Sequence, residues 1–200
     1  MLCIRNRPQG CLRPIDRTLC KKEEMEVSIM MQAQDVLEIV HRLEGAGVVV
    51  WLDGGWGVDA LLGRQTRPHD DVDVVISFDQ APLAEETLCG AGYIVTEDER
   101  PTRFVMCTSQ DLRVDFHPVT FDRQGDGLQR LPNGTDFHYP REGFTGKGSL
   151  GDQTVCCITA EAQVLCHLGY EPDEKDLHDM LHMREHFQLD LPPPYSQLLS

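Results

Sequence analysis

The sequence predicts an α/β fold of the α+β kind: a mixed β-sheet with flanking helices, followed by a small, mostly helical C-terminal lobe. Three observations carry this reading. Val36, Ile39, Val40 and Leu43 fall at i, i+3, i+4 and i+7, one apolar helix face. Two short apolar runs, GVVVWLD at 47–53 and DVDVVIS at 71–77, have the length of buried strands. Between and after them lie segments with helix start and stop signals, so strands and helices alternate through the first half of the chain.

Taken in order, residues 1–22 carry six basic side chains against Asp16, a local charge of +5 where the remainder carries −20. With three cysteines, two prolines and no helical period, residues 1–29 are expected to be an unstructured tail. In composition it imitates an Arg-rich targeting segment. The plainer reading is an upstream extension, with Met25, Met30 or Met31 as the natural start. Residues 30–121 form the expected catalytic core. Its first helix ends at Gly45; the strand at 47–53 runs into Gly54-Gly55; WGVDALLG supplies two helical turns closed by Gly63. After the strand at 71–77, a helix over Pro82–Leu88 has proline in its first turn and Gly90 past its end. Strands are expected near Tyr93–Thr96, Arg103–Thr108 and Leu112–His117, the last two joined by a polar turn at 109–111.

Residues 122–200 form the expected loop region and helical lobe. Asp122–Gly151 is rich in Gly, Asp and Pro and reads as loops with one strand. Thr159 is placed to cap a helix through Leu168, and Asp173, with Asp176 three residues on, starts another that runs to Phe187. LPPPY stops the chain.

Composition narrows the function. A formal charge of −15 excludes non-specific binding of nucleic acid through its phosphates. It suits a soluble enzyme with a cationic substrate, and it also confers solubility. No apolar run approaches the roughly 20 residues a bilayer span requires. Eight cysteines, two of them adjacent (Cys156 and Cys157) and none in a CxxC pair, read as reduced thiols of a cytoplasmic protein.

The chemistry concentrates at the strand mouths. Side chains alternate along a strand, so Asp71 and Asp73 share a face while Val72, Val74 and Ile76 enter the core. In LRVDFHP the same alternation puts Arg113, Asp115 and His117 together on the polar face. If the two strands are neighbours, Asp115 completes a three-carboxylate cluster. Oxygen ligands of this kind suit Mg²⁺, and a pair of such ions would clamp the attacking and leaving oxygens of a phosphoryl or nucleotidyl transfer. Upstream, Gly54 and Gly55 sit between a strand and a helix, where glycine permits close backbone approach and a helix N-terminus favours a phosphate. Alone, Asp-x-Asp is a weak motif that two unrelated solvated aspartates explain as well; the glycine pair ahead of it makes the combination specific.

Strand, Gly-Gly, helix and Asp-x-Asp, with a third aspartate on a later strand, resembles the polymerase-β-type nucleotidyltransferase superfamily. WLDGGWGVDALLGRQTRPHDDVDV, LRVDFHPV and VCCITAEAQVLCHLGYE are similar to the antibiotic nucleotidyltransferases of the lincosamide type, and next to the aminoglycoside 2″-adenylyltransferases. The resemblance covers residues 32–188. It implies Asp71 and Asp73 as ligands of Mg²⁺, Asp115 as the third ligand and general base, and Gly54 and Gly55 along the triphosphate of ATP. It also implies Arg67 and His69 as phosphate contacts. Alternation turns Asp70 away as a bystander.

The further candidates are weaker. His117 is placed to bind substrate or orient the base. His138, Tyr139, His167 and Tyr170 offer planar rings to an acceptor pocket, although Tyr170 also simply follows the helix-ending Gly169. His178, His182 and His186 recur at helical spacing; a solvent-facing stripe accounts for them better than zinc. The expected reaction moves AMP from Mg-ATP to a hydroxyl of a small antibiotic, a lincosamide first and an aminoglycoside second, with release of pyrophosphate. The expected partners are thus a nucleoside triphosphate and a small-molecule antibiotic acceptor, without nucleic acid or membrane; a homodimer stays open. Two other classes compete: nucleotidylation of protein or RNA, against which the helical second lobe counts, and a nucleotide-binding module without catalysis, against which the complete carboxylate set counts.

Overall fold

The computed structural model of the chain describes residues 30–199, so the expected tail at 1–29 lies outside the described residues. Helix α1 (Ala33–Gly45) buries Val36, Leu37, Ile39, Val40 and Leu43. Its start is fixed by a reciprocal cap in which the Gln32 amide donates to the Asp35 carboxylate at 2.8 Å. Strand β1 (Trp51–Asp53) leads directly into α2 (Gly54–Leu62), and Gly63 closes that helix at φ +68°, a left-handed position that favours glycine. The glycine pair is therefore the first turn of the helix.

Strand β2 (Asp71–Ser77), α3 (Ala81–Cys89), β3 (Ile94–Asp98), β4 (Phe104–Cys107) and β5 (Arg113–Phe121) complete the core. The sheet runs β1-β2-β5-β4-β3, with β2 and β5 parallel and the other pairs in this order antiparallel. Its inner face buries Val72, Val74, Phe104, Met106, Val114 and Phe116 against α1 and α3, with the Phe104 and Phe116 rings stacked 4.4 Å apart. β5 outruns its expected end at His117 because Pro118 lies beyond the point where β4 stops pairing at Phe116, so the missing proline N–H breaks no β4 bond.

The segment expected as loops with one strand is richer. It holds β6 (Gly127–Arg130), β7 (Asp136–Tyr139), a 3₁₀ turn (Arg141–Thr145) and β8 (Lys147–Leu150). β6 pairs with the end of β5 and with β7; β8 pairs with β9 (Gln153–Cys156) as a separate ribbon. Four-residue strands such as GLQR and DFHY are too short, and too polar on one face, for a hydrophobic period to show.

The lobe is helical as expected: α4 (Ala160–Cys166) starts at the Thr159 cap and α5 (Glu174–Phe187) at a full Asp173/Asp176 capping box. LPPPY does not end the structure, since α6 (Tyr195–Leu198) follows it. Tyr195 is fully buried among Val58, Met180 and Met183, and its hydroxyl donates to the His167 carbonyl at 2.9 Å. Burial of one such large side chain contributes about 1.5–3 kcal/mol, which ties the lobe to α2. Among the described residues no helix is long and apolar enough to cross a membrane.

Candidate active site

The parallel register sets Asp73 beside Asp115, Asp71 beside Arg113 and Val75 beside His117. On the other edge of β2 the antiparallel register sets Asp53 beside Asp73. Asp53, Asp73 and Asp115 thus form one row across three strands, and Asp71 lies on the same face two residues along. Like charges this close resist ionisation. Burial, then Asp73, Asp70 and Asp115, push the Asp71 carboxyl up to about 6. Burial, then Asp73, also raise Asp53, which is 6% exposed. Burial raises Asp115, with Asp73 adding to the shift and His117 and Arg103 opposing it. Burial would raise Asp73 too, but the hydrogen bond and charge of His117, with His167 and His69 adding to them, together outweigh it and the carboxyl falls below its ordinary value.

His117 Nε2 lies 3.1 Å from Asp73 Oδ1. Burial works to lower this imidazole, yet Asp73, Asp115 and Asp53 together push it up to about 9. Ligand atoms of Asp73, Asp115 and His117 all lie within 4.8 Å of one another; among the described residues this is the one such group. Its two carboxylates, with Asp71 alongside, repel each other, and a hard divalent cation would relieve that repulsion. The residues present fit Mg²⁺.

Asp53, Asp71, Asp73 and His117 floor a cleft of about 670 Å³ whose far wall is the helical lobe. Gly54, Gly55, His117, Tyr139, His167 and Tyr170 all line it, as do Arg67, His69, Asp71 and Asp73. His138 does not. On β7 the alternation turns Phe137 and Tyr139 into the cleft and leaves His138 outside, where its Nε2 lies 3.3 Å from Asp126. Asp115 is not among the lining residues; it lies beside Asp73 in the neighbouring strand, its Oδ2 3.1 Å from Arg103. Asp70 is exposed at the mouth, 3.7 Å from Lys175 on the lobe.

Behind the glycines lies a second set of charges. Arg67 grips Asp179 of α5 with two nitrogens, Nε at 2.9 Å and Nη2 at 2.7 Å. His69 Nε2 meets Asp59 at 2.5 Å, and Asp59 also accepts from the Thr66 amide and hydroxyl at 2.9 and 2.7 Å. Protein atoms occupy the space the glycines leave. A Cβ on Gly55 would come within 2.4 Å of the His69 ring and 2.7 Å of Arg67 Nη2; on Gly54, at φ +56°, it would come within 2.3 Å of Asp73 Oδ2. The glycines expected along the triphosphate thus have a packing task of their own. They first admit Asp73, His69 and Arg67 to the helix start, and Arg67 and His69 are engaged by carboxylates.

A family model described as "Aminoglycoside-2''-adenylyltransferase" matches residues 35–183, which contain every group named above. The chain belongs to this family. Members of known name are similar across most of its length. A lincosamide resistance protein of Staphylococcus haemolyticus is 30% identical over 151 residues, 76% of this chain and 93% of that protein. A 2″-aminoglycoside nucleotidyltransferase of Escherichia coli is 42% identical over 136 residues, 66% of this chain and 72% of that protein. The crystal structure of the lincosamide antibiotic adenylyltransferase LnuA, lincomycin-bound, superposes with a TM-score of 0.70 at 29% identity, covering 78% of this chain and 98% of that one. This aminoglycoside-2″-adenylyltransferase family member thus carries an antibiotic nucleotidyltransferase core.

Three residues of the site escaped the sequence reading. Asp53 closes the strand GVVVWLD and reads there as a helix cap, which it also is, its Oδ1 accepting from the Gly54 amide at 2.7 Å. Its signal was an aspartate ending an apolar strand just before a glycine pair. Arg103 and Gln129 gave no local signal, because each reaches the site from, or from just ahead of, a neighbouring antiparallel strand whose register the sequence does not state. The stripe of His178, His182 and His186 runs from half-buried to exposed along α5, with the first two rings 4.3 Å apart.

Proposed function

We propose that this family member transfers AMP from Mg-ATP to a hydroxyl of a lincosamide and releases pyrophosphate. The observation that carries the reading is the in-register placement of Asp73 beside Asp115, with Asp71 on the same face, Asp71 and Asp73 lining a cleft closed by the lobe. Asp71, Asp73 and Asp115 would hold the divalent metal, which when bound supplies electrostatic stabilisation of charge on the phosphates. The start of α2 at Gly54 and Gly55 directs its positive end at the triphosphate. The acceptor hydroxyl oxygen forms a new bond to the α-phosphorus while the bond to the pyrophosphate oxygen breaks. The hydroxyl proton passes to a carboxylate oxygen of Asp115, which Arg103 orients from 3.1 Å. No covalent bond to the protein forms, so catalysis rests on positioning and electrostatics.

The lobe-side wall supplies the acceptor's surroundings, with Tyr139, His167 and Tyr170 as flat surfaces for a ring. A lincosamide is favoured because the match to the lincosamide relatives spans 93% and 98% of their chains, lobe included. A second reading, an aminoglycoside acceptor, is favoured by the acidity of the cleft. Asp53, Asp70, Asp71, Asp73, Asp173 and Asp176 line it against Arg67 and Lys175. Pyrophosphate release with Mg-ATP decides between them, using lincomycin and clindamycin in one arm and tobramycin and kanamycin in the other. Turnover confined to the second arm would replace the lincosamide assignment; turnover in neither would reject both.

A further inference from the structure

Gln129 is 7% exposed on β6, and its amide makes three contacts beneath the cleft. Nε2 lies 3.0 Å from the Thr102 carbonyl oxygen and 3.1 Å from His117 Nδ1, while Oε1 lies 3.1 Å from the Tyr139 hydroxyl. The orientation of the amide is fixed by chemistry. The Thr102 carbonyl can only accept, so the amide nitrogen must face it; the reverse arrangement would set two oxygens 3.0 Å apart. One N–H then serves Thr102 and the other points at His117.

We propose that Gln129 is a positioning residue that keeps His117 out of the metal's ligand set, and so makes this site select Mg²⁺ over softer nitrogen-seeking ions. The proposal rests on the reading of Asp71, Asp73 and Asp115 as metal ligands. A histidine that binds a metal through Nε2 ordinarily donates its Nδ1–H to a carbonyl or carboxylate, which leaves the Nε2 lone pair for the metal. Here the polarity is opposite. An N–H donor faces Nδ1, so the ring's proton belongs on Nε2, where it is donated to Asp73 Oδ1 at 3.1 Å. The Asp73–Asp115–His117 group has the spacing of a mixed nitrogen and oxygen site. With the imidazole acting only as a donor, what remains is carboxylate oxygen, the ligand type of Mg²⁺ rather than Zn²⁺ or Co²⁺.

The test begins with the unaltered protein. Long-range ¹H–¹⁵N spectra of ring-labelled histidine, with His117 assigned by its loss in His117→Asn, are recorded metal-free at a pH above the ring's titration. A pyridine-like Nδ1 and pyrrole-like Nε2 are expected; the opposite tautomer overturns the proposal without any variant having to fold. Calorimetric titration with Zn²⁺ and with Mg²⁺ follows. Gln129→Leu removes the donor at no change of charge and should tighten Zn²⁺ relative to Mg²⁺ by about tenfold, the usual scale for a partner that orients a ligand. Gln129→Leu combined with His117→Asn should return the ratio to that of the parent. A ratio unmoved in Gln129→Leu overturns the selectivity role. Separately, Mg²⁺ binding that survives Asp71→Asn and Asp73→Asn unchanged would show that the metal site itself is misassigned, and the proposal would fall with it.

Discussion

Two groups of aspartates flank the first turn of α2, and the fold treats them in opposite ways. Behind the turn, Asp59 and Asp179 are 0% and 1% exposed, and each is saturated: Asp59 by Thr66 and His69, Asp179 by two nitrogens of Arg67. In front of it, Asp53, Asp71, Asp73 and Asp115 crowd one sheet face and repel each other. The rear set carries no cost that the protein has not already offset. The front set keeps an electrostatic cost that a bound cation would relieve. Buried charge of the first kind holds a structure together; charge of the second kind marks where a ligand belongs.

The sharpest way to break this comparison is to remove one front carboxylate. Asp71→Asn and Asp73→Asn should each abolish transfer while the metal-free fold stays intact. Mg²⁺ with ATP should raise the melting temperature of the parent protein more than that of either variant, because only a ligand that binds the folded state stabilises it. Equal stabilisation of all three proteins would show that the front set does not bind the metal. Asp115→Asn should act differently, losing on the order of 10²–10⁴ in turnover while still binding Mg-ATP, since the amide keeps an oxygen but accepts no proton. The residual rate should climb with pH as the acceptor hydroxyl ionises unaided. Near-normal turnover in this variant would move the base elsewhere, with His117 next.

The rear set should respond in stability instead. Arg67→Met strands Asp179 as an unpaired charge inside the lobe interface and should cost about 3–5 kcal/mol in chemical denaturation. Replacing both partners, Arg67→Met with Asp179→Leu, should recover most of that loss. The same pair of variants separates structure from phosphate binding. If Arg67 also touches the triphosphate, the double variant regains stability but its KM for ATP stays high; if it serves only Asp179, both recover together.

All of the front set but Asp53 was legible in the sequence and the rear set was not, for a physical reason. Asp71, Asp73 and Asp115 lie on strands whose period of two exposes them as polar breaks in apolar runs, and parallel pairing of β2 with β5 was the one further condition needed. Arg67 and Asp179 are 112 residues apart, and nothing in the local pattern of either names the other. Gln129 and Arg103 were hidden by strand register instead, each being only 12 residues from its partner across a neighbouring strand. For Arg67 and His69, nearness to the Asp-x-Asp motif was visible in the sequence, while the carboxylates that engage them were not. The lobe was read well where caps announce helices, at Thr159 and Asp173, and poorly at β6–β8, where strands of four residues carry too little pattern.

The smallest expected effect concerns pH and compares the two sets directly. Asp71 in the folded, metal-free protein is pushed up to about 6, above the 3.8 of an ordinary aspartate. A folded-state carboxyl with a raised value holds its proton more tightly than the unfolded chain does. Its destabilising contribution is therefore absent below about 4, grows as pH rises through the interval, and is complete above about 6. At 1.36 kcal/mol for each pH unit of difference, the whole effect is at most about 3 kcal/mol, and water reaching the cleft will reduce it. Denaturation of the metal-free protein should accordingly show stability falling between about pH 4 and 6, with Asp71→Asn flattening that segment. Saturating Mg²⁺ should flatten it as well, since binding to the ionised cluster offsets the repulsion. Asp59→Asn, in contrast, should lower stability across the whole range, because its one oxygen can still serve Thr66 but the acceptor facing His69 is lost, with no repulsion removed. A metal-free profile without the fall, or one that Asp71→Asn leaves unaltered, would mean that the front aspartates are not in electrostatic conflict, and the distinction between the two sets would be lost.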